Sequence, residues 1–154
     1  IPRLLEMGVE PFLLASTLQA VLAQRLVRKI CTNCRYSTTY SNAEIKNKYP
    51  KTADFLNKKT TTLYSGKGCA TCNHTGYKGR LGIYEFIMAS TALQNSILRN
   101  PSAQQIWNIA RSEGSLSLFE DGLEKALDGH TTIEEVLRVA APPQPSHESS
   151  QHDS

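Results

Sequence analysis

The sequence predicts an α+β protein, a zinc-pinned β element followed by a small C-terminal helical subdomain. All four cysteines fall in two CxxC pairs, Cys31-Thr-Asn-Cys34 and Cys69-Ala-Thr-Cys72. β-prone runs flank the second pair, at residues 60–64 and 81–88. From Ser90 onward the chain breaks into short apolar repeats of helical period, each opened by a hydroxyl residue.

In residues 1–30, Phe12, Leu13, Leu14, Leu18, Val21, Leu22, Leu26 and Val27 recur at spacings of three and four behind Pro11. This spacing predicts an amphipathic or largely buried helix, with proline at a suitable first position. Its broad apolar face needs a partner that so short a segment does not supply. The chain opens on Ile1 rather than methionine, and the expectation is of a piece of a longer polypeptide whose preceding part covers that face.

The two knuckles predict a structural zinc site at Cys31, Cys34, Cys69 and Cys72. Two residues between ligands let both thiolates of a pair turn onto one tetrahedral ion, with zinc–sulfur distances of about 2.3 Å. Four protein thiolates leave no position open for water or substrate, so the site staples and does not catalyse. Zinc with four thiolates carries a formal charge of about −2, which the nearby Arg28, Lys29, Arg35, Lys67, Lys78 and Arg80 can offset. Gly66 and Gly68 allow a tight second knuckle with backbone N–H groups free to point at sulfur. The competing readings are two disulfides and a thioredoxin-like redox pair, but redox chemistry needs one CxxC at a helix start after a strand, not two matched pairs. His74 reads as a surface loop residue, since four sulfurs complete the shell.

Between the knuckles lies a polar insert. Ser41-Asn-Ala-Glu44 is a capping box for a short helix that stops near Tyr49-Pro50, and a second short turn is expected over 53–56. Residues 60–64 read as a strand leading into the second knuckle. After a turn-rich loop with Gly76 and Gly79, Leu81, Ile83, Glu85 and Ile87 alternate with Gly82, Tyr84, Phe86 and Met88, which predicts a strand buried largely on both sides.

Four helices are then expected. Ser90 caps one carrying Leu93, Ile97 and Leu98 that ends before Asn100-Pro101; Ser102 and Gln105 open a second, closed by Gly114; Ser117 and Glu120 open a third, closed by Gly129; Thr132 and Glu135 open the last. Together they predict a small helical bundle, with Trp107 in a helix–helix contact. The remainder, APPQPSHESSQHDS, has no hydrophobe able to pack and is expected to be disordered, His147 and His152 included. The resulting division is 1–30, 31–88, 89–140 and 141–154.

A net charge of +3 is mild and scattered, forming no basic stripe for nucleic acid. No signal peptide is expected, and no apolar run in this sequence approaches the roughly 20 residues of a membrane span. Paired reduced cysteines suit a cytosolic protein.

Several blocks together resemble one family. Gly8-Val-Glu-Pro-Phe-Leu-Leu-Ala-Ser, Leu22-Ala-Gln-Arg-Leu-Val-Arg28, both CxxC pairs, Gly76-Tyr-Lys-Gly-Arg-Leu-Gly-Ile-Tyr-Glu85, Asp121-Gly-Leu and Thr131-Thr-Ile-Glu-Glu-Val-Leu-Arg-Val139 look like the C-terminal end of the type II secretion and type IV pilus-assembly ATPases (GspE/PilB family). The resemblance implies that 1–30 ends a RecA-like ATPase core. It also implies a homo-hexamer in the cytoplasm, held to the bacterial inner membrane through platform proteins, that uses ATP and Mg to drive secretion or pilus assembly. Nucleic acid and direct membrane insertion are not expected. This sequence contains no GxxxxGK[ST] phosphate loop; its Gly66-Lys67-Gly68 lacks the spacing and the hydroxyl, so these residues alone are not expected to hydrolyse ATP. The resemblance places Arg28 and Arg80 near nucleotide phosphates or a subunit boundary, a role a fixed guanidinium suits; neutralisation of the zinc thiolates and surface ion pairing compete with it. A freestanding zinc-ribbon module for protein or nucleic acid is the alternative for the whole.

Overall fold

The computed structural model describes residues 1–56 and 58–143. The disorder expected for 141–154 lies, from residue 144 on, outside the described residues. The mixed α+β class holds. Two antiparallel ladders form, β1 (Ala20–Ile30) with β4 (Tyr77–Met88) and β2 (Arg35–Ser41) with β3 (Thr60–Gly66). Around them lie α1 (Pro2–Glu6), α2 (Pro11–Thr17), α3 (Asn42–Lys48) with a 3₁₀ turn at Pro50–Phe55, then α4 (Thr91–Ile97), α5 (Ala103–Ser112), α6 (Leu118–Leu127) and α7 (Ile133–Val139).

The helix expected through residues 11–27 is only half present. Pro11 does open α2, but Leu18 turns extended and β1 begins at Ala20. Both faces of β1 carry apolar residues, which imitates helical spacing: Val27 is sealed in the core while its neighbour Leu26 faces solvent. What decides for the strand is its partner. Residues 20–28 pair one for one with β4, from Ala20 opposite Met88 to Arg28 opposite Arg80, before an irregularity ahead of Ile30. Strand β4 also departs from expectation, because only one of its faces is buried. Ile83 and Ile87 point inward, whereas Tyr84, Phe86 and Met88 are exposed beside Leu22 and Leu26 of β1. Strand β2 lies where the sequence predicts only a polar insert; its hydroxyl-rich Arg35–Ser41 is exposed almost throughout and borrows its order from β3.

The helix starts were legible. Ser41, Ser90, Ser102, Ser117 and Thr132 each accept the predicted backbone N–H, and the boxes at Ser41, Ser102 and Ser117 close reciprocally. The four C-terminal helices nevertheless do not make one bundle. Helices α4 and α5 pack with α2 around Leu14, Ile87, Leu93, Ile97 and Ile106, with Trp107 on the flank. Helices α6 and α7 join the β elements and α3 around Val27, Ile45, Leu63, Ile83, Phe119 and Val136. Gly122 lets them meet closely: a Cβ there would lie 2.7 Å from Val136 Cγ1. Helix α6 also covers the edge of β4 that β1 leaves free, Asp121 accepting the Tyr84 N–H at 2.8 Å while Lys125 donates to the Gly82 carbonyl at 3.1 Å.

Phe119 is 0% exposed and meets Phe55 edge-on at 5.1 Å. Truncation of Phe119 to alanine is expected to cost about 3–5 kcal/mol in urea denaturation. Phe86→Ala, on a side chain 47% exposed, is expected to stay within about 0.5 kcal/mol.

Candidate metal centre and arginine cleft

Strand β1 delivers Cys31 one residue past its end, and the first knuckle closes with the Cys34 N–H donating to the Cys31 carbonyl at 3.3 Å. The second is a 3₁₀ turn, Ala70–Cys72, closed the same way at 3.1 Å. Side by side, the knuckles bring all four Sγ atoms within 4.8 Å of one another. Cys31 to Cys69 is 3.9 Å, Cys34 to Cys72 is 3.8 Å and Cys69 to Cys72 is 3.7 Å. A tetrahedron with zinc–sulfur bonds of about 2.3 Å has sulfur–sulfur edges of about 3.8 Å, so the cluster could hold one such ion. All four cysteines are free, without the two disulfides that the competing reading requires. His74 is exposed and outside the cluster, as expected.

Gly76 ties the knuckles together. Its N–H donates to Cys72 Sγ at 3.3 Å and its carbonyl accepts the Cys31 N–H at 2.9 Å. The crossing with Gly66 has no space for a side chain, since a Cβ on Gly66 would sit 2.1 Å from the Gly76 oxygen. A second bond to Cys72 Sγ comes from the Cys69 N–H at 3.2 Å, and Asn33 Nδ2 donates to Thr71 Oγ1 at 3.1 Å across the two knuckles. The donors to sulfur are therefore main-chain N–H groups. Arg28 and Arg35, expected to offset the thiolate charge, have their guanidinium groups on Glu135 and the Gly129 carbonyl.

Proton affinity is uneven across the cluster. Desolvation, with hydrogen bonds that the Cys34 thiol donates to Cys72, Cys31 and Cys69, pushes it up to about 12 against the Gly68 N–H. Desolvation opposes the Cys72 thiolate too, but the Cys69 and Gly76 N–H groups and the neighbouring thiols outweigh it and bring Cys72 down to about 6. A metal entering such a cluster displaces protons as it binds.

The loop between α6 and α7 is sewn to the end of β1. The Ile30 N–H donates to the His130 carbonyl at 2.9 Å, and Thr131 Oγ1 donates to the Arg28 carbonyl at 2.8 Å. Beside this seam Arg28 and Arg80 do come together, directly opposite across the β1–β4 ladder, in a cleft of about 460 Å³ lined also by Leu26, Val27 and Arg138. Glu135, only 2% exposed, anchors the cleft. Its carboxylate accepts from the Arg28 N–H at 2.9 Å, from Arg28 Nη2 at 2.7 Å, and from Arg138 Nε and Nη2 at 3.2 and 3.0 Å. The Arg28 guanidinium also lies over the Tyr77 ring, 4.2 Å from its centroid.

Sequence reasoning missed both Glu135 and Arg138. Glu135 occupies the capping-box position after Thr132, and Thr132 does accept its N–H; the carboxylate goes to the two arginines instead. Their separation of one helical turn was the available signal.

With this geometry in hand, the chain belongs to the type II/IV secretion system protein family, whose model matches residues 1–138. Among individual relatives, it is 42% identical over 137 residues to the type IV pilus assembly ATPase PilB of Thermus thermophilus, covering 89% of this chain and 15% of the relative. It is 40% identical over 139 residues to the type II secretion system ATPase E of Vibrio cholerae, covering 90% of this chain and 26% of that protein. The type II secretion system protein E of Pseudomonas aeruginosa is 41% identical over 139 residues, again 90% and 26%. The chain thus spans between 15% and 26% of the length of these relatives. Among the described residues no helix is long and apolar enough to cross a membrane.

Burial works against the Glu135 carboxylate, but the Arg28 and Arg138 hydrogen bonds outweigh it and hold the acid down at about 2. Its folded value lies below the ordinary one, so its contribution is complete above about 4.5 and is lost as pH falls through about 2. Acid titration of unfolding should therefore lose about 1 to 3 kcal/mol over that window, and Glu135→Gln should remove that part of the pH dependence.

Proposed function

We propose that this chain is the C-terminal portion of a hexameric cytoplasmic ATPase that powers type II protein secretion or type IV pilus assembly. The observation that carries the reading is the match to ATPases of both systems at about 40% identity across roughly nine-tenths of the chain. In this reading residues 1–30 end a RecA-like core, 31–88 carry a structural zinc site, and 89–140 supply helices, shared between the two cores, that face subunits or inner-membrane platform proteins. Nucleotide, with Mg, is bound by the phosphate loop of the parent polypeptide, because these residues contain none. Arg28 and Arg80 approach the nucleotide phosphates from the arginine cleft, where fixed guanidinium groups can stabilise charge on the transferring phosphoryl group.

Zinc is the metal this donor set favours. Four thiolates at tetrahedral spacing, with backbone N–H donors on sulfur and every coordination position taken by protein, suit a structural ion. The ion would hold Cys31, Cys34, Cys69 and Cys72 as one unit and supply folding free energy rather than chemistry. Elemental analysis of the purified chain is expected to give about one zinc per chain, with the thiols masked until a chelator is added. Cys31→Ser and Cys69→Ser should each lower the melting temperature by about as much as chelation lowers it for the unaltered chain; metal-free protein of unchanged stability would rule out the staple.

The parent assignment is tested on the full-length polypeptide carrying this segment. Native mass spectrometry should show a hexamer, and phosphate-release assays should show ATP hydrolysis that falls when Cys31 or Cys69 is replaced. A monomer without ATPase activity that binds nucleic acid would instead support a freestanding zinc-ribbon module.

A further inference from the structure

The arginine cleft holds more positive charge than its surroundings compensate. Arg28 and Arg80 are register partners on neighbouring strands, and like charges directly opposite on a ladder repel. Arg138 adds a third guanidinium from α7, and the ion pairs here share one carboxylate, Glu135. Arg80 makes no ion pair among the described residues. Three guanidinium groups against one carboxylate leave an excess of two positive charges around one cleft. A local rule broken in this way marks a site where something else completes the arrangement.

The geometry also shows what is left to give. Glu135 takes Nη2 of Arg28 and the Nε and Nη2 edge of Arg138. A guanidinium has five N–H donors, so both arginines keep unused donors. Their side chains stay about half exposed, at 52% and 54%, while the Glu135 side chain is 3% exposed. One buried carboxylate thus orients two solvent-facing forks, and Tyr77 fixes the plane of one of them. Planar forks of fixed direction match phosphate oxygens in pairs, and a cleft of about 460 Å³ is of a size that accepts a phosphate chain.

We propose that Arg138 completes a three-arginine polyphosphate site with Arg28 and Arg80, and that Glu135 is the positioning residue that aims Arg28 and Arg138 into it. The proposal rests on the reading of Arg28 and Arg80 as nucleotide-phosphate contacts and extends it to α7, so that phosphate binding depends on how that helix is docked. Charge alone and positioning give opposite signs for Glu135. Removing a negative charge should tighten anion binding if charge alone matters, and should weaken it if the carboxylate organises the donors.

The test is NMR titration of the arginine Nε–H resonances of the ¹⁵N-labelled chain, with inorganic tripolyphosphate and with ATP, against sodium chloride of matched ionic strength. Arg28, Arg80 and Arg138 are expected to shift together along one saturable curve with each ligand. Arg138→Gln, at an exposed position, should weaken binding by about tenfold. Glu135→Gln should weaken it as well, with Glu135→Asp partly restoring it. Shifts confined to Arg28 and Arg80, with Arg138→Gln binding as the parent chain does, would overturn the role of Arg138 and leave the two-arginine reading standing. Equal or tighter binding by Glu135→Gln would overturn positioning. Response to tripolyphosphate without response to ATP would sink the nucleotide reading and keep the cleft. No saturable shift at any of the three arginines would sink both. If Glu135→Gln fails to fold, the Arg138→Gln arm still decides.

Discussion

Everything positioned in this chain depends on the β1–β4 ladder being clamped at its open end by the cysteine cluster. Cys31 directly follows β1 and Cys72 shortly precedes β4, so the four sulfurs sit where the two longest strands are otherwise free to slide. A slip of β1 by one residue against β4 exchanges the faces of β1, moving Val27 outward and Leu26 inward while Ile83 stays in the core. That danger is real here because both faces of β1 carry apolar side chains and the hydrophobic pattern alone specifies register weakly. The knuckles remove the ambiguity with directional contacts, chiefly those of Gly76 to Cys31 and Cys72.

The seam to the helical part follows from that clamp. Once β1 is fixed, the Ile30 N–H and the Arg28 carbonyl present themselves to His130 and Thr131, and the Gly129 carbonyl meets Arg35. This docks α7 with Glu135 facing the backbone and side chain of Arg28. A carboxylate so deeply buried is costly unless several donors reach it. It has two guanidinium groups and one main-chain N–H. Cysteine cluster, arginine pair and last helix are therefore parts of one hydrogen-bonded assembly rather than neighbours by accident.

What was legible in the sequence was punctuation and ligand spacing. The serine and threonine caps fix helix starts through local hydrogen bonds that need nothing from the rest of the fold, and CxxC spacing fixes a chelating turn for the same reason. What was not legible depends on partners distant in sequence. Residues 20–30 satisfy helical spacing and become a strand because residues 77–88 lie alongside. Arg35–Ser41 has no apolar signature because β3 and α3 supply its order. The capping helices were found singly, yet their division between two cores follows from which strand faces each meets. At the site, the four cysteines and the pair Arg28 and Arg80 could be named from sequence, while Glu135 and Arg138 were hidden inside a motif with a sufficient local explanation.

A clamp of this kind suits a place where charges of one sign must stand together. Apolar burial is non-directional, and a small two-stranded element held by it alone can relax repulsion between Arg28 and Arg80 by twisting or shifting register. Burying more surface would not cure this, since the side chains of Arg28 and Arg138 stay about half exposed. Geometry imposed from the strand ends does, because it fixes direction without covering the cleft. Glu135 acts on the same logic from the opposite side, offsetting charge from beneath while leaving the outer guanidinium edges free. The two devices divide the task, one fixing the backbones that bear Arg28 and Arg80 and the other fixing the forks of Arg28 and Arg138. Hydrogen bonds at residues 129–132 join the two.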